Sequence, residues 1–211
     1  MTTTLPHSGQ DWEKEPPFGG LAAGFGLEIV AGVIQAKSYV IATHDGEEIG
    51  NTTIETTGPS LTVPVATLTV DKQMLHYRCL VNFRNAAAAP TSLTLRIKFA
   101  GLTLASIVSS SLQNTQGFME FDIYITRLSA TTGVLEVHVR GNEECNYTWE
   151  NYTNELVNMT SVNNSPNFFT ASFAVTWAGA NTFEMSGDYT VTPVSNPSVR
   201  WHNGLMEKLA A

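Results

Sequence analysis

Charged residues are scarce in this sequence. Only 14% of its 211 residues are Asp, Glu, Lys or Arg, against about 25% in a typical soluble domain. Basic side chains are the rarer kind, 11 against 19 acidic ones for a net charge of −8, and they never occur three in a row. Because nucleic-acid binding needs clustered cations that displace counterions from phosphates, we expect no nucleic-acid partner.

The sequence also has no hydrophobic run long enough to cross a membrane. Its longest apolar stretch, residues 21–36, is broken by Gly24, Gly26, Glu28 and Gly32, whereas a transmembrane helix needs about 20 apolar residues. The N-terminus has neither the basic start nor the apolar core of a secretory signal peptide. We therefore expect a protein that is made in the cytoplasm and has no membrane partner.

Cysteine is rare, with Cys79 and Cys145 as the two examples. In a cytoplasmic product such thiols are ordinarily reduced. Cys79 occupies an apolar position in an alternating run, so we expect it to pack as a small hydrophobic side chain. A disulfide between the two cysteines is the alternative.

Local signatures of catalysis are missing as well. The sequence contains no nucleophile elbow, no His-Glu-x-x-His zinc motif, no Cys-x-x-Cys pair and no phosphate-binding loop. Residues 44–48 (His-Asp-Gly-Glu-Glu) offer oxygen ligands for Ca²⁺ but not the spacing of a known calcium loop, so a solvated turn is favoured. His76 and His138 either share a metal, line a trimer axis or stand apart as exposed residues, and the last is favoured. We predict no catalytic residue, no metal site and no cofactor.

What the sequence has in abundance is alternation of apolar and polar residues with a period of two. The alternating runs are residues 74–84, 92–99, 119–126, 135–140 and 169–177. Successive strand side chains point to opposite faces, so these runs indicate sheets with one buried and one solvated face. Antiparallel sheets have that property and purely parallel sheets do not. We predict an all-β fold of two antiparallel sheets, packed as a β-sandwich or jelly roll.

The N-terminal region differs from these runs. Residues 1–26 are dense in Pro and Gly, which predicts an irregular, extended arm. Two large apolar residues, Trp12 and Phe18, lie in it. They either anchor the arm to the capsid or another partner surface, as buried aromatics do in interfaces, or fold back onto their own domain.

The rest of the chain divides into three parts. Residues 27–60 are predicted to form short strands that lead into the main domain, which spans residues 61–195. Residues 196–211 depart from the alternating pattern and are expected to be a C-terminal tail. Its last residues, Lys208 to Ala211, resemble a vector-derived tag.

A long polar segment, residues 141–167, is expected to be a loop, and loops of this length are uncommon without a function. It contains Tyr147, Trp149 and Tyr152. Flat rings with polar tips serve as glycan-stacking platforms and as interface anchors. Packing against the domain explains them equally well, so all three interpretations stay open.

Several segments resemble a module that is widespread in structural proteins of tailed bacteriophages. They are Leu61–Val70, Met74–Phe83, Leu93–Phe99, Gly117–Arg127, Phe173–Trp177 and the glycine-rich lead-in Gly19–Leu27. Leu61–Val70 resembles the segment of "leucine-x-isoleucine-proline" type that precedes a strand of the module, and Leu93–Phe99 resembles its "leucine-arginine-isoleucine" strand. The resemblance covers residues 60–195. It implies a jelly roll that trimerises and has no catalytic residues.

The resemblance predicts a non-enzymatic virion protein. A homotrimeric capsid decoration or cement protein is favoured, with the major capsid protein as its partner. The alternative is a receptor-binding tip or short tail fibre that recognises host-surface polysaccharide. A depolymerase is less favoured, because Glu120 and Asp122 on one polar strand face are more simply solvated acids than a catalytic pair. Heptads and collagen-like repeats are missing, which disfavours a long fibre shaft.

Overall fold

The chain forms two compact units, residues 1–39 and residues 40–211. The computed structural model describes residues 27–30, 33–36, 39–50, 52–85, 92–109, 115–141, 147–151, 156–157, 167–190 and 198–209. The strands are β1 (Leu27–Val30), β2 (Val33–Ala36), β3 (Tyr39–His44), β4 (Glu47–Ile49), β5 (Thr56–Val63), β6 (Met74–Asn85), β7 (Leu93–Phe99), β8 (Leu102–Ser109), β9 (Thr115–Arg127), β10 (Thr132–Gly141), β11 (Tyr147–Asn151), β12 (Leu156–Val157), β13 (Asn167–Ala174), β14 (Asn181–Tyr189), β15 (Ser198–Trp201) and β16 (Gly204–Leu209).

The first unit contains the antiparallel pair of β1 and β2, which runs from Leu27 opposite Ala36 to Val30 opposite Val33. Both strands match the short strands predicted from the sequence. Trp12 and Phe18, the predicted anchors of the arm, lie outside the described residues.

The second unit is built from two sheets. The larger sheet has the strand order β13-β10-β9-β6-β15-β4, with β16 paired to both β6 and β3. The smaller sheet has the order β12-β11-β8-β7-β14-β5. Neighbouring strands are antiparallel in every described register. In the described residues there is no helix, and so none that could span a bilayer. The predicted all-β fold with two antiparallel sheets is confirmed.

The chain crosses repeatedly between the two sheets. Strands β4, β15, β6 and β9 lie side by side in the larger sheet, and β5, β14, β7 and β8 lie side by side in the smaller one. That order is expected when two Greek keys are rolled together into a jelly roll. In the sequence, strands β10 to β13 lie between β9 and β14. In the structure, β10 and β13 extend the larger sheet beyond β9, and β11 and β12 extend the smaller sheet beyond β8.

The apolar faces of the two sheets pack against each other. In β7, the alternate residues Leu93, Leu95, Ile97 and Phe99 are at most 1% exposed, as the sequence pattern predicted. Contacts between the sheets join the Tyr77 and Phe183 rings, with centroids 4.6 Å apart, and the Phe99 and Phe173 rings, 5.9 Å apart. The core is therefore a continuous layer between the sheets, and the solvent-facing side of each sheet is left for other functions.

The C-terminal segment corrects a prediction. Residues 198–201 and 204–209 form β15 and β16 of the larger sheet, where the sequence pattern suggested a tail. Trp201, Met206 and Lys208 are fully buried. The alternation was hidden because each strand is short, residues 202–203 interrupt it, and a lysine occupies an inward position of β16. This segment is an integral part of the fold.

Two other boundaries also differ from the prediction. The expected boundary between the lead-in, residues 27–60, and the main domain, residues 61–195, lies inside β5. The segment 141–167, expected to be a loop, contains β11 and β12. Tyr147 and Trp149 therefore lie in a strand of the smaller sheet.

Candidate functional site

A charged cluster lies on the outer face of the larger sheet, centred on His76 of β6. The ring nitrogen Nε2 of His76 lies 3.0 Å from Asp122 Oδ1 on β9, and Nδ1 lies 3.0 Å from Glu207 Oε1 on β16. Only 9% of the His76 side chain is exposed. The imidazolium form donates from both nitrogens and satisfies both carboxylates. These contacts link β16 to its neighbour β6 and, across β6, to β9.

Asp122 is the second centre of this cluster. It also accepts a hydrogen bond of 2.9 Å from Arg78 Nε. Burial alone would raise the pKa of Asp122, but the hydrogen bonds from Arg78 and His76 hold that pKa below its usual value. Asp122 is therefore a permanent anion of the sheet surface at neutral pH.

Tyr124 separates the two histidines that the sequence placed on the polar face. His76 stacks on one face of its ring, with centroids 4.5 Å apart and planes 4° apart. The His138 ring meets Tyr124 edge-on at 6.0 Å. An aromatic ring thus lies between the two imidazoles. In the part of the chain that the structure describes, no three His, Cys, Asp or Glu side chains are grouped to hold a metal ion.

The segment that offered calcium ligands is partly buried. His44 ends β3 and Glu47 begins β4. His44 is 8% exposed; its Nε2 lies 2.6 Å from the Tyr77 hydroxyl and its Nδ1 lies 2.6 Å from Glu47 Oε2. Burial raises the pKa of Tyr77 far above its usual value, so this phenol stays protonated. These contacts close the edge of the core at His44, while Asp45, Gly46 and Glu48 are exposed, as expected for a solvated turn.

An apolar stripe crosses the outer face of the larger sheet next to the charged cluster. Leu205, Leu80 and Phe118 are 39%, 37% and 45% exposed. Leu205 pairs with Arg78, two residues from Leu80, and Leu80 pairs with Glu120, two residues from Phe118. Residues at this diagonal offset are about 7–8 Å apart, within reach of large side chains. The three apolar residues therefore form a continuous diagonal line over β16, β6 and β9.

A concave site, the loop pocket, lies at one end of the sandwich. Three loops meet there: residues 64–73 between β5 and β6, 128–131 between β9 and β10, and 175–180 between β13 and β14. Its volume is about 230 Å³, and it is lined by Ala66, Leu68, Thr69, Arg127, Ala130, Trp177 and Ala178. The lining is mostly apolar, with one cation.

That cation, Arg127, is held from several sides. Its side chain, 15% exposed, lies with Nε 3.1 Å from Asp71 Oδ1 and donates from Nη1 to the Leu68 carbonyl at 2.7 Å. Its backbone N–H donates to the Gln73 carbonyl, and its carbonyl accepts from the Lys72 N–H. Since the guanidinium already has an anionic partner, the pocket is not an open anion site.

The structure gives the predicted aromatic site residues different places. Tyr147 and Trp149 lie on β11, where they pair with Ser109 and Ile107, both of which are buried. Tyr152 lies outside the described residues. The roles proposed for these three in glycan or partner contact stay predictions.

Sequence reasoning missed the apolar stripe and the loop pocket. One signal was present, because Leu80 breaks the polar side of the alternation in β6. Its two neighbours in the stripe are far from it in the sequence: Phe118 follows Leu80 by 38 residues and Leu205 follows it by 125 residues. Only the strand register brings the three together. The pocket had no local signal.

No protein-family model and no curated protein sequence matches the chain. Among solved structures, the CBM2 module of the evolved Dit of Lactobacillus casei BL23 phage J-1 has a TM-score of 0.36 at 11% identity, over 70% of this chain and 67% of that one. The alginate lyase from Klebsiella pneumoniae has a TM-score of 0.29 at 5% identity, over 63% and 59%. The infectious bursal disease virus Gx strain has a TM-score of 0.28 at 10% identity, over 87% and 46%. These scores assign the chain to no family.

Proposed function

We propose that this chain is a non-enzymatic structural protein of a bacteriophage virion, which decorates the head shell as a homotrimer. The sequence resemblance to phage jelly-roll modules motivates the proposal, and the strand order of the two sheets agrees with it. The observation that supports the homotrimer in this proposal is the apolar stripe of Leu205, Leu80 and Phe118.

The stripe is unusual for its place in the fold. Solvent-facing positions of an antiparallel sheet are normally polar, and isolated exposed apolar residues need no explanation. A contiguous line of three large ones on neighbouring strands is different, because contiguous apolar surface marks interaction sites. Arg78 and Glu120 lie directly beside it, which gives the polar rim that surrounds the apolar centre of an interface.

A shell-decorating role needs this kind of surface and no chemistry. Binding only to the assembled, folded shell stabilises it by mass action, and a specific interface buries about 800 Å² on each partner. The stripe supplies the apolar centre for contact between copies. Contact with the major capsid protein is proposed for the N-terminal arm with Trp12 and Phe18.

Self-association has a direct test. Sedimentation of the pure protein is expected to give about 69 kDa, three times the 22.9 kDa chain mass. Replacing Leu80 and Leu205 together by Gln is expected to give a folded monomer, because both side chains are already partly exposed and the core is untouched. Ile54→Gln, a matched change at a position 76% exposed and away from the stripe, should leave the trimer intact. A wild-type monomer at micromolar concentration would contradict the proposal.

The position on the particle is tested separately. Quantitative mass spectrometry of purified virions should find hundreds of copies of the chain for a shell protein. A few tens of copies or fewer, together with a positive glycan array, would favour the receptor-binding tip instead. Hydrolysis of host polysaccharide by the pure protein would refute a non-enzymatic role.

A further inference from the structure

We propose that the loop pocket binds one aromatic side chain, presented by a protein partner in an acidic segment. The site goes beyond the proposed assembly through the apolar stripe, with which it shares no residue. Four properties of the pocket lead to this occupant: its rim, its size, its charge and its rigidity.

The rim is apolar and unusually exposed. Val65, Val70 and Leu128 are 60%, 59% and 49% exposed, and all three belong to the loops that build the pocket. Ala130 and Ala178, which line it, are exposed too. Exposed apolar side chains on the loops that build a concavity favour a surface that is covered by a partner.

The size selects a single side chain. Pockets for cofactors and drug-sized ligands measure about 300–1,000 Å³, and the loop pocket, at about 230 Å³, is smaller. An oligosaccharide would leave most of its polar groups outside. One aromatic ring fits this volume, and it would meet the guanidinium of Arg127, a favourable partner for a ring face.

The charge selects the flanking residues of the partner. Among the described charged residues of the three loops and Arg127, Lys72 and Arg127 contribute +2 and Asp71 contributes −1, for a net +1. The whole chain carries −8. Because Arg127 and Asp71 are paired, the net positive charge comes from Lys72, which is exposed on the first loop and favours acidic residues beside the inserted ring.

The loops are also held in place before any partner arrives. The Gln73 side-chain oxygen accepts hydrogen bonds from the Thr69 and Val70 N–H groups, at 2.8 and 3.1 Å. The Val175 N–H donates to the Thr131 carbonyl at 3.0 Å, which joins the third loop to the second. Because these segments are already ordered, binding loses little conformational entropy.

The test uses the full chain, labelled with ¹⁵N, and the pentapeptide acetyl-Gly-Asp-Trp-Glu-Gly-amide as the probe. We expect amide shifts confined to residues 64–73, 127–131 and 175–180, with a Kd of about 1 mM or below. The same peptide with Ala for Trp should not bind. The same peptide with Lys in place of both acids should bind at least threefold more weakly, because Lys72 gives the loops a net positive charge, and added salt should narrow the difference in affinity.

Matched variants locate the site. Ala130→Trp fills the pocket from an exposed position and should weaken peptide binding at least tenfold. Thr62→Trp, an equal change at an exposed position of β5, should leave binding unchanged. The proposal is overturned if the Ala peptide binds equally well, if no peptide shifts the loops at about 5 mM, five times the expected Kd, or if galactose or inorganic phosphate shifts the same amides instead. Because the isolated chain is measured, the result is independent of any role on a shell.

Discussion

Replacing Asp122 by Asn removes one negative charge from the charged cluster and keeps the size of the side chain. The carboxylate is bonded to His76, whose side chain is 9% exposed, and to Arg78, whose side chain is 60% exposed. A hydrogen bond to a charged, buried partner is worth about 1.5–3 kcal/mol, and an exposed ion pair about 0–1 kcal/mol. Asparagine keeps a neutral oxygen that can still accept hydrogen bonds from His76 and Arg78, so the loss is the difference between a charged and a neutral acceptor. We therefore expect Asp122→Asn to lower the free energy of unfolding by about 1–2 kcal/mol at pH 7, most of it at the contact with His76.

The same substitution should change the pH dependence of stability. Burial raises the pKa of Asp122, but the hydrogen bonds from Arg78 and His76 outweigh it, and the pKa lies below the ordinary value of 3.8. A depressed folded-state pKa means that the stabilisation is complete above the unfolded-state pKa and is lost as the pH falls through the folded-state pKa. The free-energy difference between wild type and Asp122→Asn should shrink as the pH falls below the unfolded-state pKa and then through the lower folded-state pKa of Asp122.

Urea unfolding followed by tryptophan fluorescence measures both effects, since Trp177 and Trp201 are buried reporters. Asp71→Asn is the control, because the Asp71 side chain is 56% exposed and its ion pair with Arg127 lies near the surface. It should cost less than about 0.5 kcal/mol. The reasoning is refuted if Asp122→Asn also costs less than about 0.5 kcal/mol at pH 7, or if its cost does not fall at low pH.

Three further outcomes follow from the packing. Gly58→Ala should lower the free energy of unfolding by about 1–3 kcal/mol, because the added methyl group would lie 2.7 Å from ring carbons of the buried Trp201. Gly179→Ala, which has open space around it, should leave the free energy of urea unfolding nearly unchanged. Equal losses of stability in the two variants would contradict this. Burial raises the pKa of Cys79 to about 12. Iodoacetamide at pH 8 should therefore label Cys79 only when urea unfolds the protein, as mapped by mass spectrometry. Rapid labelling of the folded protein would show that the core is open. A chain that ends at residue 203 loses the buried Met206 and should unfold or aggregate; a native circular-dichroism spectrum and unchanged melting would show β16 to be dispensable.

The sequence predicted the long central strands because each run obeys one simple rule. In β6 and β7 every inward position is apolar over seven residues or more, so the buried face could be read directly. The same rule failed at β16, because Lys208 occupies an inward position and Gly204 begins the strand. It also left β8 unmarked, since the register shifts between Ile97 and Lys98 of its partner and the buried side of β8 includes two adjacent residues, Leu104 and Ala105.

The candidate sites depend on topology more than on local pattern. The loop pocket joins residues near positions 66, 130 and 177, which no periodicity connects. They meet because the C-terminal ends of β5, β9 and β13 all lie at the same end of the sandwich, which is a consequence of the strand order. Cys79 was predictable as a core residue, and it is a free, buried thiol, since its position follows the alternation of β6.

The apolar stripe and the charged cluster are structurally coupled, because both lie on the same three strands. The stripe runs over β16, β6 and β9, and His76 on β6 joins Glu207 on β16 to Asp122 on β9. An interface needs its apolar centre held at a fixed spacing, since ordering a loose surface costs free energy on binding. If β16 moved away from β6, Leu205 would leave the stripe. Asp122→Asn should therefore weaken the proposed self-association, measured by sedimentation under conditions where the chain is still folded, although Asp122 itself lies outside the stripe.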